Sequence, residues 1–254
     1  MKNYNPENYW EKRLTNGFNL SKVGHLGFSE HYNKFLYKAK TRTLKKALSF
    51  YQIDISNKTV CDIGCGTGFF VDFYKHLGAR DIAGIDITNI SVENLKLKYP
   101  EYNFIRSDIS SSLLEAIPKR KFDILNVFDV LYHIKDNNAF RYAIINISNL
   151  TQKGGFILIS DMYGTKNIEP AEHVKFRSKK IYKEILTENG IEVIAILPLY
   201  YLLNRPIFGK IYHSCIKIDN LFAPIYYYFD SFLLSYMKNT KNNLNLIISR
   251  KIKL

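Results

Sequence analysis

Residues 60–70 read Val60-Cys61-Asp62-Ile63-Gly64-Cys65-Gly66-Thr67-Gly68-Phe69-Phe70. A short apolar run enters a turn with glycine at alternate positions, and an apolar-periodic helix follows over 69–77. Gly64, Gly66 and Gly68 can take φ > 0 and let a ligand approach the backbone to contact distance. In open α/β sheets the carboxyl ends of the strands are where nucleosides bind. A dinucleotide loop carries GxGxxG and seats its pyrophosphate on the helix N-terminus. Here the spacing is GxGxG, and Asp62 stands two residues before the first glycine. A carboxylate there repels a pyrophosphate and suits a cationic amino group.

Outward from this loop, strand and helix patterns alternate. Asp81–Asp86, Asn103–Arg106, 122–127 and 156–160 read as strands, and 91–98, 111–117 and 139–150 as helices between them. After a helix over 178–189, the runs 191–197 and 244–249 supply two last strands. Strands alternating with helices of this length predict βαβ units and a mainly parallel sheet covered on both faces, an α/β fold. Asp86 ends the second strand, 22 residues after Gly64, where it can accept from ribose hydroxyls. Asp108 follows the third strand, where it can accept from an adenine amino group. A ligand with ribose, adenine and an ammonium, and without phosphate, fits all three carboxylates.

DIGCGTG at 62–68, GIDI at 84–87, SDI at 107–109 and FDILNVFDVLYHI at 122–134 stand together in one order and spacing. In these four motifs the chain resembles the class I S-adenosylmethionine-dependent methyltransferases. The resemblance implies a Rossmann-like, seven-stranded, mostly parallel sheet of order 3-2-1-4-5-7-6 with the last strand antiparallel and helices on both faces. It implies that Asp62, Gly64, Cys65, Gly66 and Gly68 hold the methionine moiety of S-adenosyl-L-methionine. Asp86, with Ile87 beside it, would hold the ribose, Asp108 and Ile109 the adenine, and Phe128 would line the methyl donor. The expected organisation is a single methyltransferase domain over 1–254: a helical cap at 1–57, the cofactor-binding core at 58–198, an aromatic-rich insertion at 199–242 and the last strand at 243–254.

His133, beyond the fourth strand, faces the expected acceptor side and has an ordinary pKa suited to taking a proton. It is the candidate catalytic residue, since a His at this position in similar methyltransferases contacts the acceptor; packing under the following helix is the competing role. Asp129, Asp161 and His25 are further candidates, each equally suited to a cap, core or surface role. HxxxH, HExxH and CxxC are all absent, so no metal site is expected. Methyltransferases that act on base amines or glutamine amides typically carry an Asn/Asp-Pro-Pro-aromatic motif after the fourth strand. This chain has Asn126-Val127-Phe128-Asp129, which argues against DNA and favours a small-molecule acceptor, most of all an oxygen of a saccharide or lipid-linked metabolite. An RNA acceptor held by basic flanks, and a non-catalytic cofactor-binding partner subunit, are the alternatives.

The flanks are indeed basic. The net charge is +13, and it is uneven: +7 over residues 1–59, zero over 60–200 and +6 over 201–254. With 27 Lys to 9 Arg, compositional drift explains such an excess as well as an anionic acceptor or surface does. The N-terminal stretch resembles the leading helices of bacterial small-molecule and saccharide methyltransferases, and its Tyr4, Tyr9, Trp10, Tyr32 and Tyr37 are placed either to cover the cofactor or to seal helices onto the sheet. Residues 200–236 hold 11 of the 37 aromatics. Four readings compete for that segment: a lid over an apolar acceptor, a dimer surface, an interfacial contact with an anionic membrane, and helices packed on the sheet. Three cysteines, Cys61, Cys65 and Cys215, form no paired framework, and the opening MKNYNPENYWEKRL lacks the apolar region of a signal peptide. The expected location is cytoplasmic, with peripheral membrane contact as its one qualification; the oligomeric state is left open.

Overall fold

The computed structural model describes residues 4–112, 120–205, 216–236 and 243–253. Three helices lead: α1 (Pro6–Thr15), α2 (Leu20–Val23) and α3 (Glu30–Phe50). The core then runs β1 (Thr59–Ile63), α4 (Phe69–His76), β2 (Asp81–Asp86), α5 (Asn89–Lys98), β3 (Asn103–Arg106) and β4 (Phe122–Phe128). A one-turn 3-10 helix (Leu131–His133) leads into α6 (Asn137–Leu150) and β5 (Thr151–Asp161). A small hairpin, β6 (Ile168–Ala171) and β7 (Val174–Phe176), precedes α7 (Lys179–Glu188), β8 (Ile191–Pro198), α8 (Ile216–Tyr236) and β9 (Asn245–Lys251).

The sheet has seven strands in the order β3-β2-β1-β4-β5-β9-β8, with β9 antiparallel to both neighbours. Counted without the hairpin, this is the order 3-2-1-4-5-7-6 implied by the glycine-loop motifs. Side chains alternate across it as a doubly covered sheet requires. Val60, Ile82, Ile124, Leu158 and Ile248 enter one core with α3, α4 and α5. Cys61, Ile63, Ile85, Leu125, Val127 and Ile159 enter the other with α6 and α7.

Local chemistry sets the starts of the helices that frame the site. Asn5 accepts from the Asn8 N–H at 2.8 Å with Pro6 in the first turn of α1, Ser29 accepts from Tyr32 at 3.2 Å, and Asp136 accepts from Ala139 at 2.8 Å. α4 begins differently, on Gly68 in the left-handed conformation at φ 78°.

Three features depart from the sequence reading. β5 begins at Thr151, directly after α6, five residues before the expected start. The hairpin at 168–176 was not anticipated; its strands, four and three residues long, are too short for an alternation to stand out. The described part of the aromatic-rich insertion is a turn over 199–205 and one continuous 21-residue helix with Pro224 inside it. The expected helix over 111–117 lies mostly outside the described residues, as do Phe208, Tyr212 and Cys215.

Candidate active site

The glycine loop is pinned to the end of β2 before any ligand is considered. The N–H groups of Gly64 and Cys65 donate to the Ile85 carbonyl at 2.7 and 3.2 Å, and Gly66 N–H donates to Asp86 Oδ2 at 2.8 Å. The other Asp86 oxygen accepts from both the N–H and the hydroxyl of Thr88, at 2.9 and 2.7 Å. Burial pushes the Asp86 carboxyl up despite these donors. At Gly64, φ is 72° and a Cβ would come within 2.3 Å of Val130, so the turn admits no side chain. A Cβ at Gly68 would lie 2.6 Å from the Leu95 side chain, so that glycine serves the packing of α4 on α5.

Asp62 lies beneath this loop, 2% exposed. Its Oδ1 accepts from Asn126 Nδ2 at 2.7 Å, and Asn126 in turn accepts from the Tyr74 hydroxyl at 3.0 Å. Its Oδ2 is buried without a partner. Desolvation raises this carboxyl to about 7, although the Asn126 hydrogen bond pulls the other way.

A cleft of about 470 Å³ opens beside the loop, lined by Gly64, Gly66, Asp86, Ile87, Asp108, Ile109 and Phe128 among others. Asp108 is exposed at its edge and Ile109 is buried; the Asp108 Oδ1 is held by the N–H and hydroxyl of Ser110 at 2.8 and 2.7 Å. Tyr4, Pro6, Trp10 and Leu14 bring α1 to its wall, and Tyr37 brings α3. The sequence-derived cofactor residues are thus gathered in one place, with a division among them. Asp62, Cys65 and Gly68 lie behind the lining rather than in it.

A second cavity of about 470 Å³ abuts the first and shares Trp10, Val23, Asp129 and His133 with it. Its remaining wall comes from Arg13, His25, Lys40, Tyr132, His173, Tyr200 and neighbouring apolar residues. His133 Nδ1 lies 2.8 Å from the His173 carbonyl. A carbonyl can only accept, so Nδ1 carries the proton and Nε2 keeps its lone pair. Burial holds the His133 pKa down at about 4, so the ring is neutral at physiological pH. Its ring stacks on His173 with centroids 5.5 Å apart and meets the edge of Trp10 at 4.9 Å.

Asp129 stands beside His133 on the cavity boundary at φ 59°, a strained position for a residue with a side chain. Its carboxylate pairs with Lys40 of α3 and accepts from the Ser160 hydroxyl at 2.8 Å. Burial opposes its charge, but Lys40, Ser160 and Tyr132 outweigh burial and keep the carboxyl below its ordinary range. Asp161, the neighbouring candidate, lines neither cavity; it is held by Tyr182 and the Met162 N–H inside the opposite core. Sequence reading overlooked Lys40, Arg13, Tyr132 and His173, and met Tyr200 only as one aromatic of the 200–236 segment. For Lys40 a signal existed, because it sits one turn from both Leu36 and Leu44 on the apolar face of its helix.

The strand order, the glycine loop and a carboxylate at each of three successive strand ends define a fold that binds a nucleoside with a cationic tail. A family model described as a methyltransferase domain matches residues 54–191, more than half of the chain. The chain belongs to that family, the class I S-adenosylmethionine-dependent methyltransferases.

Among solved structures it is similar to the N-methyltransferase NodS from Bradyrhizobium japonicum, determined with S-adenosylhomocysteine: TM-score 0.54 and 14% identity, covering 87% of this chain and 88% of that one. A methyltransferase from Clostridium acetobutylicum gives TM-score 0.55 at 12% identity, covering 84% and 91%. At these identities the likeness is one of fold. The ubiquinone biosynthesis O-methyltransferase of Rhodopseudomonas palustris is 27% identical over 109 residues, 42% of this chain and 41% of that protein. The mRNA cap guanine-N(7) methyltransferase of Candida glabrata is 26% identical over 202 residues, 68% of this chain and 45% of that protein. The chain spans less than half the length of the curated relatives it matches.

The residues present fit S-adenosylmethionine. The unpartnered Asp62 oxygen, behind the lining, would supply a carboxylate for an ammonium reaching past the loop, the left-handed glycines leave the loop bare, and the cleft sets Asp86 and Asp108 beside the apolar Ile109 and Phe128. When bound, the cofactor supplies a methyl carbon made electrophilic by a positively charged sulfur.

Proposed function

We propose that the protein methylates an oxygen of a small-molecule acceptor, a saccharide or lipid-linked metabolite, held in the second cavity. One observation carries this reading: two cavities of equal volume, about 470 Å³ each, meet at His133, Asp129 and Trp10. A volume in that range suits a small organic molecule. Cofactor and acceptor would each have a chamber, with the reacting atoms at the shared wall. Alignment is the main contribution such a site makes, because the leaving sulfur is neutral once the methyl has gone. The free lone pair of His133 Nε2 accepts the hydroxyl proton. A base with a pKa near 4 takes that proton late, after the forming C–O bond has acidified it. Asp129 lies near enough to favour the imidazolium that results. Trp10, Tyr37 and Tyr132 keep water from the junction.

Incubation with isotopically labelled methyl donor and fractionated cell extract tests the reading. Label is expected in a low-molecular-weight fraction; label only in RNA or protein overturns it. The RNA reading draws support from the Candida glabrata relative, whose match covers 68% of this chain. It requires an RNA complex whose affinity falls steeply with salt.

A further inference from the structure

The outer face of α8 has no partner among the described residues. Leu221, Ile225, Tyr228, Phe229, Phe232 and Tyr236 are each 53–75% exposed, and their spacing of three or four residues lays them in one stripe about 22 Å long. The inner face is different in kind. Asp219, Ala223, Tyr226 and Asp230 are buried against the body of the protein. Arg42 of α3 fastens the helix from beneath by donating to the Tyr227 carbonyl at 3.0 Å.

Residues 201–254 hold eight Lys and Arg against two carboxylates, and those two, Asp219 and Asp230, are both fully buried. The apolar stripe is therefore presented from a basic segment with no exposed acidic side chain. The segment carries +6 in sequence and the whole chain +13, with Lys217 exposed on α8 itself, so two copies joined here would bring like charge together, whereas an anionic surface would meet charge and apolar area at once. Tyr228 and Tyr236 add rings with a polar tip, which favour the level of lipid headgroups. Crossing the bilayer is another matter, since no described helix is long and apolar enough for it.

We propose that α8 lies on an anionic lipid bilayer with this stripe immersed in the headgroup–acyl boundary. Docking there would bear on the second cavity. Asp230 accepts from the N–H groups of Tyr201, Leu202 and Leu203 at 2.9, 2.8 and 3.1 Å, and the flanking Tyr200 and Asn204 line that cavity. The membrane contact stands on the helix alone; its service to a lipid-borne acceptor rests on the function proposed above.

Sedimentation of the full chain with vesicles tests it. Vesicles of phosphatidylcholine with phosphatidylglycerol should pellet the protein, and phosphatidylcholine alone should pellet roughly tenfold less, given the attraction each basic residue adds at an anionic surface. The double substitution Phe229→Glu with Phe232→Glu should reduce pelleting about tenfold or more. The same variant should keep its affinity for S-adenosylhomocysteine, which shows that it is folded and separates this contact from methyl transfer. Absence of pelleting, or pelleting indifferent to the substitutions, overturns the proposal. A dimer in solution that the same substitutions dissociate also overturns it and gives the face to a second copy.

Discussion

Asp62 is the residue whose charge is least at home in the protein alone and most useful beside a cationic ligand. Burial raises its carboxyl to about 7, and one oxygen is left unpartnered. A bound ammonium favours the ionised form, so the pKa in the complex lies below that in the free protein. Cofactor affinity is then full above pH 7 and falls as pH drops below it, by at most tenfold per unit. Calorimetric titration with S-adenosylhomocysteine at pH 8 and pH 6 should show the weaker binding at pH 6. Asp62→Asn should weaken binding roughly 10–100-fold, the worth of a hydrogen bond to a charged group. Its own stability should move the other way. A carboxyl raised in the folded state contributes stability below its unfolded pKa and loses it as pH rises through 7, so the Asn variant should melt no lower than the parent at pH 8. His133 predicts a separate pattern. His133→Ala should cut turnover about 100-fold or more while leaving S-adenosylhomocysteine affinity little changed; unchanged turnover would remove its role as base.

At the scale of elements, the buried pair Lys40–Asp129 ties α3 to the end of β4, with side chains only 4% and 11% exposed. Lys40→Ala leaves a buried carboxylate without its cation and should cost about 3–5 kcal/mol in chemical denaturation. The double variant Lys40→Met with Asp129→Asn should recover much of that loss. These cross-element ties are where sequence reading runs out. The glycine loop was legible because backbone conformation at Gly64 forbids a side chain, and that constraint is written in the residue itself. The carboxylates at β1, β2 and after β3 were legible because strand ends can be counted. By contrast, His173 reaches His133 from a hairpin whose strands, four and three residues long, are too short to leave a periodic trace. Gly68 adds a reason that its residue type does not carry: beside the positive φ read from the sequence, 78° in the structure, a Cβ there would press on Leu95 of α5.

For the whole molecule, the neutral span 60–200 holds the sheet through β8 and the three strand-end carboxylates, whereas the basic spans supply α1, α3 and α8. Both cavities draw walls from both stretches: Trp10 and Leu14 of the basic N-terminal span line the first, and Tyr132, His133 and His173 of the neutral span line the second. The strand order was readable from motifs that recur at strand ends. The second cavity was not, because its walls come from α1, α3, the hairpin and the 199–204 turn, distant in sequence and joined only by folding. Since the donor cleft is built into the core, its ligand should stabilise the entire domain. At a hundredfold excess over Kd, S-adenosylhomocysteine should add about 2.7 kcal/mol and raise Tm by roughly 5–10 °C. Asp62→Asn should shrink that rise at equal ligand concentration.

One wall of the donor cleft is a helix held by few bonds. Glu11 of α1 reaches across to accept from the N–H groups of Asn89 and Ile90 at 2.8 and 3.2 Å, capping α5 from outside, while Glu7 pairs with Arg106 at the surface. Contacts of this kind are each worth about 1 kcal/mol or less. A wall tied in this way should act as a clock, its loosening setting how long spent cofactor lingers before a fresh molecule replaces it. Glu11→Gln should hasten escape of S-adenosylhomocysteine several-fold in stopped-flow displacement while leaving the first turnover unchanged, and the gain should vanish wherever methyl transfer itself is the slower event.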